Sequence, residues 1–239
     1  MKKNPLERWQ SEKQLLWEVT REMVQQDMVA GSNGNVSMRL AGDENDGPIL
    51  ITPAGRPYRQ LGPEDLVVID LDGEPVEGDL VPSTEAATHL RLYRERRDVG
   101  SVVHTHSPYA SAAAVAGLEI PPVVDEMVIE VGGSVEVAEY AFPSTEELAE
   151  HVCRALGNRN AVLLRNHGLV GVGPGVWKAF GVCQLVERAA QVFLYASLLD
   201  RALPLPPQIV EMEQELFRMG RETQLLSIAR AGLKGKERC

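Results

Sequence analysis

The sequence predicts a single α/β domain that spans residues 1–239. Segments with helical apolar spacing alternate with short β-branched segments along the whole chain, and neither a low-complexity linker nor an internal repeat interrupts them. Hydrophobic residues make up 44% of the chain and charged residues 24%, the composition of a globular protein with a packed core. A chain of 239 residues can form one large domain or two small ones, and the continuous alternation favours one.

The first predicted element is an amphipathic helix over residues 6–29. Its apolar residues, among them Leu16, Val19 and Met23, recur mostly at intervals of three to four. Gly31 ends the helix, as glycine commonly does. Short apolar segments bounded by turn residues then predict three strands, over residues 36–40, 50–52 and 66–70, the last of which leads into a hairpin-type turn at 71–74.

The alternation continues through the rest of the chain. Ser83 or Thr84 is a candidate N-cap for a helix over residues 83–96, because hydroxyl side chains accept from the free N–H groups of a first helical turn. A proline cluster at 203–207 separates the last two helices. The other predicted elements are a strand at 100–106, helices at 109–116 and 145–156, strands at 161–165 and 168–172, and helices at 176–199 and 208–231.

Charge and hydropathy exclude two classes of partner. A formal net charge of -10 disfavours a nucleic-acid-binding protein, which needs clustered Lys and Arg. No segment approaches the roughly 20 apolar residues that cross a bilayer, and residues 1–8 lack the apolar part of a signal peptide. Cys153, Cys183 and Cys239 are scattered and have no metal-ligand spacing. We therefore expect a cytoplasmic protein that binds neither nucleic acid nor membranes.

The strongest local pattern is His104-Thr105-His106 on a predicted strand. Residues i and i+2 of a strand point to the same face, so His104 and His106 can present two imidazoles to one ion. Neutral imidazole is a common ligand of divalent zinc. The alternative is a pair of histidines on an exposed strand face.

A third histidine, His167, lies in Asn166-His167-Gly168, between two apolar strand segments. Alone, it is typical of a hydrogen-bonded loop histidine. Together with His104 and His106 it completes the set of three protein ligands that catalytic zinc sites commonly use, with one coordination position left open.

The segment Pro82-Ser83-Thr84-Glu85 precedes a predicted helix. Capping alone would explain its hydroxyl residues. Free N–H groups and hydroxyls at a helix N-terminus also bind phosphate, so the same residues are a candidate anion site. Glu85 is either a surface carboxylate that complements the helix dipole or a functional acid/base. His89, four residues later, is more typical of a packed or hydrogen-bonded histidine than of a ligand.

Two glycine-rich turns, at residues 31–35 and 52–55, have the backbone freedom and small polar groups that suit an oxyanion. Each is individually weak, since such loops are usually ordinary turns. The motifs gain specificity from their order: 34–37, 52–55, 82–85, 104–106 and 166–168. In that order they resemble the class II aldolase/adducin superfamily, particularly its sugar-phosphate aldolase and 4-epimerase branches, over roughly residues 10–200.

The resemblance implies a three-layer αβα fold with a central, largely antiparallel sheet, and a homotetramer whose active sites lie at subunit interfaces. It implies Zn²⁺ bound by His104, His106 and His167, with Mn²⁺ or Co²⁺ as possible replacements. Glu85 is then the catalytic acid/base. The residues around the substrate phosphate are Asn35, Gly55, Ser83 and Thr84.

The function implied is a zinc-dependent class II aldolase that cleaves a small phosphorylated ketose through a metal-stabilised enediolate. A sugar-phosphate 4-epimerase, a decarboxylase and a dehydratase are alternatives on the same metal site. A non-catalytic interaction protein, as in the adducin branch, should lack the metal ligands, and a structural zinc site usually closes with four ligands, often cysteine. Both are therefore disfavoured.

The sequence departs from the aldolase pattern in three places. Ala54 stands where the phosphate loop usually has a hydroxyl residue, and Glu126 aligns with a tyrosine proton donor. No tyrosine follows Tyr195, although the aldolase and epimerase branches use one near the C-terminus. Glu126 and Tyr109 are the candidates for the missing proton donor, and the identity of the sugar stays open.

Overall fold

A computed structural model describes residues 8–42 and 47–236, of which 230–236 are described by their backbone alone. The first two residues of the predicted N-terminal helix, most of the 1–8 segment and Cys239 lie outside the described residues.

The described chain contains seven α-helices and eight strands, together with two short 3-10 helices at Tyr58–Gln60 and Pro63–Asp65. The helices are α1 Gln10–Gln25, α2 Ala86–Glu95, α3 Pro108–Ala116, α4 Asp125–Val131, α5 Glu146–Leu156, α6 Val176–Leu198 and α7 Pro207–Lys236. The strands are β1 Asn35–Arg39, β2 Ile49–Ile51, β3 Val67–Ile69, β4 Pro75–Glu77, β5 Ser101–Thr105, β6 Val137–Ala138, β7 Ala161–Leu164 and β8 Gly168–Gly173.

All eight strands form one sheet in the order β4-β3-β2-β1-β5-β8-β7-β6. Every neighbouring pair is antiparallel except β6 and β7. Strand β5 therefore lies near the centre, between β1 and β8, and it is buried along its whole length. The predicted α/β class and the largely antiparallel sheet are confirmed.

Helices cover both faces of the sheet and make the three layers. Val103 of β5 packs into a cluster with residues of α1, α3, α4 and α6, whereas its neighbour Val102 packs into a second cluster with residues of α2 and α5. Successive strand residues point to opposite faces, so the two clusters lie on opposite sides of the sheet. No helix within the described ranges has both the length and the apolar character required to cross a membrane.

The two 3-10 helices were not predicted, and neither were three of the short strands and α-helices: β4, α4 and β6. Strand β4 has three residues, begins with Pro75 and pairs only with β3. An edge strand tolerates proline, because its outer N–H groups have no ladder partner to lose. Helix α4 has seven residues and β6 two, too few for a periodic apolar pattern.

Three predicted helices had wrong boundaries, and the last of them, α7, ends at Lys236 rather than near 231. Helix α1 ends at Gln25 rather than near 29, and Asp27 adopts a left-handed backbone with φ of 53° immediately after it. Helix α2 begins at Ala86, with Glu85 and not Ser83 or Thr84 in the N-cap position. The two hydroxyl residues therefore lie in the turn before the helix.

Candidate metal centre and cleft

The three predicted histidine ligands meet at one end of the sheet. His104 lies near the end of β5, His106 follows that strand directly, and His167 lies in the tight turn between β7 and β8. Because β5 and β8 are neighbours, with His104 opposite Val170, the end of β5 and the start of β8 lie side by side. The two-residue repeat of a strand thus brings His104 and His106 together, and the pairing of β5 with β8 brings His167 beside them.

The Nε2 atoms of the cluster converge. His104 Nε2 lies 3.0 Å from His106 Nε2 and 3.3 Å from His167 Nε2. The potential ligand atoms of the three residues all lie within 4.8 Å of one another, a geometry that could hold a metal ion. Nitrogens about 2.0–2.1 Å from a tetrahedral zinc ion are about 3.3–3.4 Å apart, so the observed spacing fits such an ion closely.

Burial keeps the His104 imidazole neutral, and a hydrogen bond at Nδ1 leaves the lone pair of Nε2 available. The Nδ1 of His104 lies 3.0 Å from the carbonyl oxygen of Leu169, which can only accept, so Nδ1 carries the proton and Nε2 presents a lone pair. Burial, with a smaller contribution from the neighbouring histidines, lowers the pKa of His104 and of His106. Neutral imidazole is the protonation state that binds a metal.

The Asn166-His167-Gly168 motif has a steric explanation. Asn166 adopts a left-handed backbone, with φ of 58°, and the amide of His167 donates to the carbonyl of Leu164 at 3.0 Å, which closes the turn. A Cβ on Gly168 would lie 2.3 Å from the backbone oxygen of Thr105 and 3.2 Å from His106 Cδ2. Glycine is therefore required for β8 to approach β5 beside the histidines.

Glu85 places a carboxylate against the same point. Its Oε1 lies 3.2 Å from His167 Nε2 and its Oε2 lies 3.4 Å from His104 Nε2. The side-chain amide of Asn35 donates to Oε2 at 2.7 Å. Because the carboxylate and the Nε2 of neutral His104 are both acceptors, their close approach is unfavourable unless a cation lies between them. The arrangement therefore fits a divalent ion.

A cleft of about 420 Å³ opens beside this point. All four predicted phosphate-site residues line it. No lysine or arginine is among its lining residues, so an anion here would meet hydroxyls, side-chain amides and backbone N–H groups. The lining residues are Ser32, Asn33, Gly34, Asn35, Pro53, Ala54, Gly55, Ser83, Thr84, Glu85, His106, Pro143, Ser144 and His167.

Two turns of this cleft use backbone conformations that favour glycine. Gly34 has φ of +72°, and a Cβ there would lie 2.6 Å from the backbone oxygen of His104. Gly55 has φ of +71° and open space around its Cα. The first glycine thus lets the 31–35 loop approach the metal-binding strand, and the second leaves its own backbone accessible from the cleft.

Two lining residues, Pro143 and Ser144, were not predicted; they lie in the connection between β6 and α5. Ser144 is exposed and adopts a left-handed backbone with φ of 69°, an uncommon conformation for serine. The sequence of this segment indicated only the start of α5. Its N-cap is Thr145, whose side chain accepts a hydrogen bond from the amide of Leu148. Capping and cleft lining are performed here by adjacent residues.

The two candidate proton donors do not line the cleft of this chain. Glu126 is exposed in the first turn of α4. Tyr109, near the start of α3, forms a 2.9 Å hydrogen bond between its hydroxyl and that of Tyr195. Their assignment as proton donors stays a prediction.

The fold and the site define the protein as a metal-dependent enzyme. Its three-layer αβα fold carries a three-histidine cluster, an adjoining carboxylate and a polar cleft at one end of the sheet. The family described as "Class II Aldolase and Adducin N-terminal domain" matches residues 14–194. The chain belongs to this family, and like its named relatives it is a carbon–carbon lyase.

Two relatives and one solved structure illustrate the similarity. The chain is 34% identical over 202 residues to a 5-deoxy-D-ribulose 1-phosphate aldolase of Bacillus thuringiensis, covering 84% of this chain and 93% of that protein. It is 37% identical over 184 residues to the L-fuculose phosphate aldolase of Escherichia coli, covering 77% and 83%. A solved L-fuculose 1-phosphate aldolase superposes with a TM-score of 0.81 at 33% identity, covering 86% and 95%.

Proposed function

We propose that this enzyme cleaves a small ketose 1-phosphate to glycerone phosphate and an aldehyde. The observation that carries the proposal is the convergence of three imidazoles and one carboxylate at the end of a cleft lined by neutral hydrogen-bond donors. Both named relatives are sugar-phosphate aldolases, and the 5-deoxy-D-ribulose 1-phosphate aldolase and the solved L-fuculose 1-phosphate aldolase carry in their names a phosphate on carbon 1.

His104, His106 and His167 would hold a divalent ion, zinc in the first instance and manganese or cobalt as replacements. When bound, such an ion supplies a Lewis acid for the negative charge that develops during cleavage. The chain's contribution is to hold three imidazoles in place, through the bond from His104 Nδ1 to Leu169 and the close packing at Gly168.

The reaction breaks the bond between carbons 3 and 4. The hydroxyl on carbon 4 loses its proton as its carbon becomes the aldehyde carbonyl, and the electron pair of the broken bond forms an enediolate over carbons 2 and 3. The protonated form of Glu85 then delivers its proton to carbon 3, which completes glycerone phosphate, and the resulting carboxylate regains a proton from water. Asn35 orients the Glu85 carboxylate through Oε2 and leaves one amide hydrogen for substrate.

Ser83, Thr84 and Gly55 would bind the phosphate. The hydroxyl oxygen of Ser83 accepts from the amide of Glu85 at 3.3 Å, so its own hydrogen is available to donate to an anion. Thr84 and the backbone at Gly55 line the same cleft. These neutral donors suit a phosphate ester held next to a cation.

We also propose a homotetramer, in which Glu126 or Tyr109 of a neighbouring copy would take up the proton from the carbon-4 hydroxyl. Four chains of 26.2 kDa give an assembly of about 105 kDa, which light scattering after size exclusion measures directly. A monodisperse 26 kDa species with full activity would contradict this arrangement.

The decisive experiment is a retro-aldol screen on protein of measured metal content. We expect cleavage of 5-deoxyribulose 1-phosphate or L-fuculose 1-phosphate, loss of activity after chelation, and recovery with Zn²⁺. Glu85→Gln should reduce turnover by at least about a hundredfold with metal still bound, because general acid–base catalysis contributes that much. Glu150→Gln, on the exposed face of α5, is the matched control and should keep full activity.

Product analysis separates the alternatives. An epimerase keeps all carbons in one molecule, a decarboxylase releases carbon dioxide, and a dehydratase releases only water. Metal-loaded protein that releases no aldehyde from any ketose phosphate would overturn the proposal. Loss of metal in Glu85→Gln would recast Glu85 as a ligand.

A further inference from the structure

Polar side chains join β1 to α2 directly behind the candidate site. Strand residues two apart share a face, and helix residues four apart share a face. Asn35, Ser37 and Arg39 alternate along β1, and the residues that they meet recur every fourth position along α2. Those residues are Glu85, His89 and Tyr93.

These contacts are hydrogen bonds that follow one another along β1 and α2. After the 2.7 Å bond from Asn35 to Glu85 comes a 2.6 Å bond between Ser37 Oγ and His89 Nδ1. Ser37 Oγ also lies 2.8 Å from the Tyr93 hydroxyl. Arg39 completes the series, since its Nη2 donates to the Tyr93 carbonyl at 2.7 Å. We call these contacts the β1–α2 polar ladder.

Ser37, His89 and Tyr93 are almost completely buried, with exposures of 0%, 1% and 2%. Burying a polar side chain costs free energy unless it is hydrogen-bonded, so these groups require a specific arrangement. Burial lowers the pKa of His89 to about 3, and the imidazole is neutral at ordinary pH. Within the described chain, its Nδ1 bonds Ser37, and its Nε2 is buried without a hydrogen-bond partner.

We propose that His89 and Ser37 are positioning residues for Glu85, an inference that rests on the proposed function. Glu85 occupies the N-cap position, one helical turn before His89, so its carboxylate moves with the first turn of α2. The Ser37–His89 bond fixes that turn against β1. It thereby holds Glu85 Oε2 at 2.7 Å from Asn35 and within 3.4 Å of His104.

The magnitude of the effect follows from catalytic geometry. One residue of helical rise is about 1.5 Å, and a misplacement of about 1 Å at a reacting group can reduce the rate about a hundredfold. A small displacement of α2 along β1 is therefore sufficient to disable Glu85 while the cleft still binds substrate. A purely structural role for His89 would instead change stability and leave kcat unchanged.

The test compares His89→Leu, which removes the bond to Ser37, with His89→Asn, whose side-chain amide can occupy the Nδ1 position. We expect His89→Leu to lower kcat at least about tenfold, with KM within twofold and the metal content unchanged. His89→Asn should recover most of kcat. Thr20→Val is the control, because it removes another buried hydrogen bond, from Thr20 Oγ1 to the Leu16 carbonyl within α1.

Ser37→Ala removes the same hydrogen bond by changing the residue on β1. It is the variant to measure if His89→Leu does not fold. Combined with His89→Asn, it should abolish the rescue, because the partner is then missing. Unchanged kcat in Ser37→Ala, or equal losses in the Leu and Asn variants, would overturn the proposal.

Crystal structures provide a readout that does not depend on turnover. We expect the Glu85 carboxylate to leave Asn35 in His89→Leu and to stay within hydrogen-bond distance of it in His89→Asn. An unmoved carboxylate in His89→Leu would refute the positioning role. If the wild-type enzyme cleaves no ketose phosphate, the proposed function fails, and these structures still decide the role of the ladder.

Discussion

His104 Nδ1 lies 3.0 Å from the carbonyl oxygen of Leu169 on the neighbouring strand. That carbonyl belongs to the residue paired with Thr105 in the β5–β8 ladder, so the orientation of the imidazole depends on strand register. Loss of a partner that orients a metal-ligating histidine typically lowers metal affinity about ten- to a hundredfold. We therefore expect the candidate metal centre to be sensitive to the packing of β5 against β8.

Gly168→Ala tests this dependence. The new Cβ would lie 2.3 Å from the Thr105 carbonyl oxygen and 3.3 Å from His104 Cε1, so the two strands must separate. We expect a loss of about tenfold to a hundredfold in metal affinity, the range seen when supporting groups of metal ligands are removed. Competition with a chromogenic chelator measures it.

Gly181→Ala, in the interior of α6, is the control because a Cβ there meets nothing within 4 Å. It should stabilise the protein by about 0.5–1 kcal/mol, since glycine is unfavourable inside a helix, and leave metal affinity unchanged. Equal metal affinity in both alanine variants would show that strand separation does not matter to the centre.

His89 gives the metal-free protein a defined acid sensitivity. Its pKa is lowered by burial from 6.5 to about 3, so the unfolded chain takes up a proton first as the pH falls. Stability is then lost between about pH 6.5 and 3, at about 1.4 kcal/mol per pH unit for this group. His89→Asn removes that component, and urea unfolding of both proteins at pH 6.5, 5.5 and 4.5 should show a shallower dependence for the variant. Parallel pH dependences would mean that His89 is not buried in the neutral form.

Ser144 is predicted to contribute to phosphate binding. Its φ of 69° suits glycine, so Ser144→Gly retains the backbone of the turn and removes only the hydroxyl. A hydrogen bond to a charged group is worth about 1.5–3 kcal/mol, and we therefore expect KM for the phosphorylated substrate to rise at least about tenfold with kcat little changed. Asp200→Gly, at another left-handed position outside the cleft, is the control. A KM unaffected by Ser144→Gly would exclude the hydroxyl from the binding site.

Asp98 is predicted to anchor α7. Burial would raise its pKa, but hydrogen bonds from Arg96 and Arg221 outweigh burial and lower the pKa to about 2. Asp98→Ala leaves the buried Arg96 guanidinium without its carboxylate, a change that costs about 3–5 kcal/mol of unfolding free energy. Glu215→Ala, which breaks the exposed pair with Arg218, should cost less than about 1 kcal/mol. Similar costs for the two variants in denaturant titrations would contradict the anchoring role.

The local parts of the site could be predicted from sequence because strand and helix periodicity are local. His104 and His106 share a face through the two-residue repeat of a strand, and the turn with Glu85 lies at a helix start. The long-range part could not be predicted from such patterns. Asn35 pairs with His104 across β1 and β5, although the two residues are far apart in the chain.

The remaining differences have similar physical causes. Glu85 occupies the N-cap position instead of Ser83 or Thr84, since turn hydrogen bonds such as that from the Ala86 amide to the Ser83 carbonyl delay the start of the helix. Local patterns could not predict Ser144 as a cleft residue, because its position there depends on the path of the β6–α5 connection. Only the resemblance to a known family indicated strand direction.

The candidate metal cluster and much of the cleft beside it are built from different kinds of structure. The histidines belong to β5, its end and the turn that leads into β8, whereas Ala54, Gly55, Pro143 and Ser144 belong to surface connections. Mutations in such connections usually cost little stability. Under the proposed function, substitutions in these connections can therefore change which sugar is accepted while the reaction centre stays intact, and a laboratory search for new specificity should randomise the connections and leave the strands alone.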